Sequence, residues 1–229
     1  MKLLVTAGPT REPIDPVRYL SNRSSGKMGF AIAAAAAAAG HRVLLVAGPV
    51  SLATPGGVER VNVTTAEEMA EAVRGALPDM EAVVCCAAVA DYRPVQAAEQ
   101  KIKKGAGRMT LELERTTDIL GSVRHPWGWG GVLVGFAAET ERLLEHAGRK
   151  LEVKGCDLVV ANDVSGVETG FESDENAAWL LYGDGRVEEQ GRQPKSELAA
   201  VIVARVLALH GAARAGLSGK GMAGLGEEE

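Results

Sequence analysis

Hydrophobic residues along this chain are gathered into short runs that alternate with alanine-rich or amphipathic segments. The runs that predict strands cover residues 3–6, 42–46, 59–63, 82–88, 131–136 and 156–161. The first two are continuous and apolar, which is typical of parallel strands that are covered on both faces. Because helical patterns separate the strands, the order predicts right-handed crossovers. We therefore predict an α/β protein, with a Rossmann-like, mainly parallel sheet and helices on both faces.

Capping residues mark where the predicted helices begin and end. Gly40 follows an alanine-rich segment as a C-cap, and Thr65 precedes a segment with two glutamates in its first turn. The run Thr116, Thr117 and Asp118 caps a short apolar segment. The predicted helices cover residues 27–39, 66–77, 119–123, 140–153 and 196–210.

The C-terminal part departs from this alternation. Residues 177–182 and 186–190 predict a β-hairpin around a Gly-Asp-Gly turn, and the last helix follows it. Residues 211–229 resemble a frayed terminus. The prediction is one domain over residues 1–210 and a disordered tail over 211–229.

The longest polar stretch covers residues 6–29, between the first strand and the first helix. Open α/β sheets bind ligands at this end of a strand. Small residues and Lys27 stand at the helix start, where the helix dipole favours an anion, and phosphate is the expected anion. Between these ends lie Asn22, Arg11, Arg18 and Arg23. The alternative interpretation is a surface loop whose arginines are merely solvated.

Polar side chains also follow later strands. Asp91 comes after the strand at 82–88, on the edge where the first loop lies, and Asn162 with Asp163 follows the strand at 156–161. Lys150 and Lys154 are one turn apart on one predicted helix. Cations and amides around a few carboxylates fit a nucleoside triphosphate with Mg²⁺, because charge must be neutralised as the α-phosphate is attacked.

The stretch from residue 95 to residue 107 is polar. It contains three lysines within residues 101–104, and we call residues 101–104 the lysine segment. Its composition fits either a solvated excursion or a mobile flap. Residues 109–114 then alternate apolar and polar positions, which predicts a half-exposed strand.

Composition narrows the classes of function. The formal net charge of -5 disfavours a nucleic-acid-binding protein with a broad basic surface. No apolar run reaches the roughly 20 residues that span a bilayer. The N-terminus does not resemble a signal peptide. We therefore expect a cytoplasmic protein with neither membrane nor nucleic-acid partners. The three cysteines and four histidines show no spacing typical of disulfides, zinc sites or catalytic triads.

Two nucleotide-binding motifs are missing. A Walker loop needs Gly-Lys followed by Ser or Thr, whereas Gly26 and Lys27 are followed by Met28, and Ser21 stands where the first glycine belongs. A dinucleotide fingerprint needs G-x-G-x-x-G, but Gly8 after the first strand is followed by Pro9. Neither standard loop explains the polar stretch.

Five motifs in order resemble one known family. They are the run at 6–29, AAVADY at 87–92, KIKK at 101–104, GFAAET at 135–140 and ANDVS at 161–165. Together they resemble the phosphopantothenate–cysteine ligase domain of bacterial coenzyme A biosynthesis, over residues 3 to about 209. The resemblance implies a ligase that joins 4'-phosphopantothenate and L-cysteine through an acyl-cytidylate, with CTP as co-substrate and Mg²⁺ as cofactor. It also implies a homodimer, with a flap near the subunit contact.

The resemblance also implies roles for individual residues. Asn22 and Arg18 match residues needed to convert the acyl-nucleotide into product, and Lys101 matches the first lysine of a flap that closes over this intermediate. Implied CTP contacts are Lys101, Asp91, Phe136, Lys150 and Lys154, together with backbone at Cys85, Cys86, Ala87, Thr117, Asp118, Ile119 and Leu120. The metal ligands stay unassigned.

Two departures from the family pattern matter. Family members often carry a flavin-dependent decarboxylase domain ahead of the ligase, whereas Met1 lies directly before the first strand. The expectation is a stand-alone ligase or a piece of a longer protein, with a separate decarboxylase as a candidate partner. Thr117 stands where proline is common, which weakens the case for that backbone contact.

Two other classes of protein were weighed against the ligase. An NAD(P)-dependent Rossmann oxidoreductase is disfavoured by the missing glycine fingerprint. A non-catalytic nucleotide-binding protein is disfavoured because Asn22, Arg18 and Lys101 are all present.

Overall fold

The computed structural model of the chain describes residues 1–105, 107–139, 141–163 and 173–221. The strands in chain order are β1 (Lys2–Ala7), β2 (Arg11–Pro13), β3 (Tyr19–Ser21), β4 (Arg42–Ala47), β5 (Val58–Asn62), β6 (Ala82–Cys85), β7 (Tyr92–Pro94), β8 (Leu113–Arg115), β9 (Val132–Glu139), β10 (Leu158–Asp163), β11 (Glu175–Tyr182) and β12 (Val187–Pro194). The α-helices are α1 (Lys27–Ala38), α2 (Ala66–Ala76), α3 (Ile119–Arg124), α4 (Leu143–Lys154) and α5 (Lys195–Gly221).

Eight strands form the central sheet, in the order β12-β11-β10-β9-β6-β1-β4-β5. The six strands from β10 to β5 pair in parallel, and β11 and β12 add an antiparallel hairpin beyond β10. Burial on both faces explains the continuous apolar runs, since Leu3, Leu4 and Val5 of β1 are all fully buried. The predicted α/β sheet and C-terminal hairpin are confirmed.

Strand β1 lies where the order of strands across the sheet changes direction. The chain passes from β1 to β4 and β5 on one side, and then returns to β6 on the other side of β1 before continuing to β9 and β10. In open α/β sheets, the crevice outside the carboxyl ends of the strands at such a switch point is where ligands bind. The fold therefore predicts a site above the ends of β1 and β6.

Helices cover both faces of the sheet, as predicted. Helices α1 and α5 share one core with the sheet, and α2, α3 and α4 contribute to the core on the other face. Two predicted N-caps are confirmed: Thr65 Oγ1 accepts a hydrogen bond from Glu68 N at α2, and Asp118 Oδ1 accepts one from Gly121 N at α3.

Helix α5 is longer than predicted. It extends through Gly221, beyond the predicted end at residue 210, whereas residues 222–229 of the predicted tail lie outside the described residues. Alanines at 212, 213 and 215 favour helix, which explains why Gly211 does not end it. The span Lys195–Ala215 is long and apolar enough to cross a membrane by length and composition alone. However, Leu198, Ile202 and Val206 are buried in the core.

Two short two-stranded ribbons outside the central sheet were not predicted. Strands β2 and β3 pair within the opening polar stretch, and β7 pairs with β8 on either side of the lysine segment. The strand predicted over residues 109–114 is reduced to β8. Ribbons of three residues per strand carry too few apolar positions for an alternating pattern to be recognised.

We predict that alanine substitution changes the stability of the protein in opposite directions at two glycines inside helices. A Cβ at Gly29 of α1 would lie 2.5 Å from Ala7 Cβ, so Gly29→Ala should destabilise the fold by about 1–3 kcal/mol through overpacking. A Cβ at Gly148 of α4 would meet nothing within 4 Å, so Gly148→Ala should stabilise it by about 0.5–1 kcal/mol. Urea unfolding of both variants tests this, and equal effects would contradict it.

Candidate active site

Two cavities lie side by side at the carboxyl ends of the parallel strands, with volumes of about 520 Å³ and 580 Å³. The first is lined by residues around the start of α1 and is called the α1 cavity. The second is lined by lysines of α4 and is called the α4 cavity. Ala87, Phe136 and Lys150 line both, so they form a shared wall. The cavities occupy the switch point that the fold predicts.

Two threonine side chains, one near the end of β1 and one in the loop that follows it, hold the segment after β6. Thr6 Oγ1 accepts a hydrogen bond from Ala87 N at 3.1 Å, and Thr10 Oγ1 accepts one from Ala90 N at 3.0 Å. The Ala87 amide thus bonds to a side chain, and only an isolated bridge between Pro9 and Ala88 continues the pairing, so β6 ends at Cys85, earlier than predicted. The loop after β1 and the segment after β6 therefore lie side by side at this edge of the sheet.

Asn22 lines the α1 cavity, and main-chain oxygens orient its amide. The Nδ2 group donates to the carbonyl oxygens of Ala88 and Val89, at 3.1 Å each. To donate to a bound ligand, Nδ2 must exchange one of these two bonds.

The start of α1 faces the same cavity. Gly26 has a positive φ of 78° and directly precedes the helix. At Gly29 the helix backbone lies against Ala7, a close approach that leaves no room for a Cβ. Residues 23–29 line the α1 cavity. The amide end of the helix dipole therefore favours a negative charge there.

Lysines add positive charge around the α1 cavity. Lys27 Nζ lies 2.7 Å from Asp174 Oδ1, whose side chain is largely exposed. Only 7% of the Lys195 surface is exposed, and its Nζ donates to the carbonyl oxygen of Ser173. Burial lowers the pKa of Lys195, and the neighbouring Lys27 lowers it further. An anion in the cavity would relieve this repulsion.

Asn162 brings an acceptor to the α1 cavity. Its Oδ1 is buried and has no hydrogen-bond partner among the described residues. A buried acceptor without a partner is costly, so a donor on a ligand would stabilise the site. The side chain of Asp163 lies outside the described residues.

The α4 cavity contains a network of two lysines and one carboxylate. Lys154 Nζ pairs with Asp118 Oδ2, and Lys150 Nζ donates to the carbonyl oxygen of Phe136 at 2.9 Å. Burial raises the pKa of Asp118, but the Lys154 ammonium and the Gly121 amide outweigh it and hold this pKa below its usual value. Asp118 is therefore a carboxylate at neutral pH.

Most of the residues predicted to contact CTP meet in the α4 cavity. Its lining includes Cys85, Ala87, Asp91, Thr117, Asp118, Ile119, Leu120, Phe136, Lys150 and Lys154. Cys86 lines the α1 cavity instead. Gly135 allows this packing, because a Cβ there would lie 3.0 Å from Leu120 and 3.2 Å from Cys156 Sγ. Their role as nucleotide contacts stays a prediction.

Arg18 and Lys101 are not among the described residues that line either cavity. The guanidinium of Arg18 pairs with Asp15 on the turn between β2 and β3. Lys101 is exposed beside this ribbon. The structure thus brings Asn22 to a cavity but not the other two residues that were predicted to be catalytic.

The cysteines near the cavities do not act as thiolates at neutral pH. Burial raises the pKa of both Cys86 and Cys156 to about 12, and it raises the pKa of Cys85 as well. Acidic and basic side chains, amides and backbone groups are left to bind ligands.

No cluster of three His, Cys, Asp or Glu side chains with metal-binding geometry occurs in the part of the chain that the structure describes. Asp91 and Asp118 both line the α4 cavity, and Lys154 already pairs with Asp118. Mg²⁺ needs only one or two carboxylates when substrate phosphates supply further oxygens. The carboxylate of Asp91 would therefore suit a magnesium ion that binds together with a triphosphate.

Two residues of the α1 cavity were missed in the sequence. Lys195 begins α5, where the helix dipole disfavours a cation, and this misplaced charge is the pattern that could have revealed it. Asn176 is 1% exposed in β11 and carries no such pattern. Only the pairing of β11 with β10 brings it to the cavity.

The fold and the site define a class of protein: an α/β domain with two adjacent, lysine-lined cavities at the switch point of its sheet. Residues 1–209 match the family described as DNA/pantothenate metabolism flavoprotein C-terminal domain, and the chain belongs to this family. The resemblance found in the five motifs is confirmed.

Relatives agree with this assignment. The coenzyme A biosynthesis bifunctional protein CoaBC of Haemophilus influenzae is 47% identical over 207 residues, which cover 90% of this chain and 51% of that protein. The chain thus spans about half the length of such relatives. A crystal structure of the C-terminal domain of CoaBC has a TM-score of 0.76 at 40% identity, covering 90% of this chain and 93% of that one.

A Cab2 variant in complex with phosphopantothenate-cysteine shares the fold. Its TM-score is 0.78 at 18% identity, and the match covers 95% of this chain and 88% of that one. At this identity the comparison supports the architecture alone.

We predict that Lys195 makes the stability of the protein depend on pH. Its pKa is lower in the folded chain than in the unfolded one, so the unfolded chain binds more protons below the ordinary lysine pKa. The stability of the wild type should therefore rise relative to Lys195→Met as pH increases from 7 toward about 10. Reversible urea unfolding at several pH values measures this. The exposed Lys104→Met is the control, and a Lys195→Met difference that is constant with pH would refute the prediction.

Proposed function

We propose that this chain is a phosphopantothenate–cysteine ligase that uses CTP and Mg²⁺. The observation that carries the proposal is the pair of cavities with a shared wall. One cavity suits a phosphorylated acid, because it has the α1 terminus, Lys27 and Lys195. The other suits a triphosphate, because it has Lys150 and Lys154. The family and the named activity of its relatives in coenzyme A biosynthesis support this assignment.

In the first half-reaction, the carboxylate of 4'-phosphopantothenate attacks the α-phosphorus of CTP. A new phosphorus–oxygen bond forms, the bond to the β-phosphate breaks, and pyrophosphate leaves with its electrons. Lys150 and Lys154 stabilise the charge that builds up on the phosphates. When bound, Mg²⁺ supplies further neutralisation at the same oxygens.

In the second half-reaction, the amine of L-cysteine attacks the acyl carbon of the cytidylate. A carbon–nitrogen bond forms, and the bond between the acyl carbon and the bridging oxygen of the cytidylate breaks. CMP leaves with the electrons of that bond, and the amine proton passes to solvent. The amide of Asn22 can donate to the acyl oxygen as negative charge develops. For this, Nδ2 gives up its bond to Ala88 or Val89.

Recognition of cytosine is proposed for the backbone of the α4 cavity. Hydrogen bonds from a fitted pocket discriminate strongly between bases, because a wrong base leaves buried groups unpaired. Residues 117–120 supply main-chain groups at the capped start of α3. Homodimer formation, a decarboxylase partner and a cytoplasmic location belong to the same proposal.

Pyrophosphate release tests the proposed activity. The protein is incubated with phosphopantothenate, Mg²⁺ and either CTP or ATP, with and without L-cysteine. We expect release with CTP, and product only when cysteine is present. No release with either nucleotide would refute the ligase, whereas equal rates would refute only the preference for CTP. Hydride transfer to NAD(P) would support the oxidoreductase instead.

We further predict that Asn22→Asp separates the two half-reactions. The carboxylate cannot donate to the acyl oxygen and repels its developing charge, so product formation should fall by about 100-fold or more. Formation of the acyl-cytidylate should continue, so rapid quench with labelled CTP should show its accumulation. Asn62→Asp on the exposed end of β5 is the matched control. Normal turnover of Asn22→Asp would show that Asn22 has another role.

A further inference from the structure

Asp15 is a buried carboxylate outside both cavities. It lies on the turn between β2 and β3, and its side chain has no exposed surface. Oδ1 accepts hydrogen bonds from Val17 N and Arg18 N, at 2.9 Å each, which close the turn. Oδ2 accepts from Arg18 Nε at 3.0 Å, from Arg18 Nη2, and from Ile102 N at 3.1 Å.

The bond to Ile102 joins the turn to the lysine segment. Arg18 Nη2 also donates to the carbonyl oxygen of Ile102 at 2.9 Å, so Asp15 and Arg18 hold Ile102 by both its amide and its carbonyl. A third bond, from Ala98 N to the carbonyl oxygen of Ile14 at 2.9 Å, holds the approach to the segment. The connection between β7 and β8 is thus attached to the β2–β3 ribbon at two positions.

The ammonium groups of Lys101, Lys103 and Lys104 have no hydrogen-bond or ion-pair partner among the described residues. All three side chains are exposed, whereas Ile102 between them is half-buried. The segment therefore combines a fixed backbone position with three cations that are available to an anion.

We propose that Asp15 is a positioning residue, which together with Arg18 fixes the lysine segment on the β2–β3 ribbon and thereby sets the reach of Lys101. Arg18 takes part through this contact, since it is not among the described residues that line either cavity. The consequence for turnover rests on the proposed ligase activity, but the attachment itself does not.

The attachment lowers the entropic cost of using the segment. An unattached loop must be ordered whenever a ligand binds it, and each ordered side chain and backbone unit reduces the affinity. With Ile102 already fixed, only Lys101 and its neighbours need to be ordered over a bound anion. The same ribbon leads directly from Ser21 to Asn22, so it connects the position of the segment to the α1 cavity.

The electrostatics of the contact favour a permanently charged pair. The Arg18 guanidinium holds the pKa of Asp15 well below its usual range, against the opposing effect of burial. Because a lowered carboxylate pKa gives stability that is lost only when pH falls through it, the contact persists through the neutral range. Substitution, and not mild acid, is needed to break it.

The variant Asp15→Asn tests the proposal. Asparagine keeps an acceptor for the turn amides but loses the charge that binds Arg18 and Ile102. Trypsin should then cleave after Lys101, Lys103 and Lys104 about five to ten times faster than in the wild type, because local opening is easier. The matched control is Asp184→Asn, since Asp184 Oδ1 accepts from Arg186 N in another hairpin turn, far along the chain from the lysine segment.

A second measurement follows catalysis in the same variants. If the segment protects the acyl-cytidylate from water, Asp15→Asn should release several pyrophosphates for each product formed, whereas the wild type and Asp184→Asn should release about one. An unchanged cleavage rate, or an unchanged ratio, overturns the proposal. If the wild type releases no pyrophosphate at all, the proposed function fails, and cleavage alone still decides whether Asp15 fixes the segment.

A further variant covers the case in which Asp15→Asn does not fold. Ile102→Pro removes the amide that donates to Asp15 Oδ2, together with the isoleucine side chain, and changes no residue of the turn itself. Faster cleavage after Lys103 and Lys104 is expected, and wild-type cleavage rates in this folded variant would equally overturn the proposal.

Discussion

The site depends on the hydrogen bonds that join the loop after β1 to the segment after β6. Thr6 at the end of β1, Thr10 and Asn22 supply side-chain bonds to main-chain groups beyond the end of β6, and Ala88 N donates to the carbonyl oxygen of Gly8. Parallel strands end at the same edge but do not by themselves fix the loops that follow. Side chains that bond to the neighbouring backbone give both cavities one rigid floor, since each bond replaces a water contact of a group that is partly buried.

Electrostatic arrangement then distinguishes the cavities from the rest of the surface. The chain has a net charge of -5, yet the start of α1 and lysines from α1, α4 and α5 converge on one edge of the sheet. Placing Lys195 in a buried position beside Lys27 costs stability in the absence of an anion. Sites that bind charged ligands often carry such a cost, because the interaction is satisfied only in the complex.

The sequence was sufficient to predict features that depend on neighbouring residues, such as strands, helix caps and the side of a helix on which a residue lies. Apolar runs gave all the strands of the parallel core, two caps marked helix starts, and the spacing of Lys150 and Lys154 placed both on one side of α4. The contacts of Asp15 and Arg18 with Ile102 join residues 87 and 84 positions apart, so no local pattern could predict them. The end of α5 was predicted too early because residues 211–229 resemble a frayed terminus, whereas the alanines at 212, 213 and 215 favour helix.

The shared wall also limits how the two cavities can diverge. Ala87, Phe136 and Lys150 each line both cavities, so a substitution at any of them alters the α1 cavity and the α4 cavity together. Asp91 and residues 117–120 face only the second cavity, whereas Asn176 and Lys195 face only the first. Under the proposed assignment, nucleotide choice can therefore be redesigned separately from acid recognition at the outer walls, but not at the shared wall, where the Lys150 ammonium would contact both ligands.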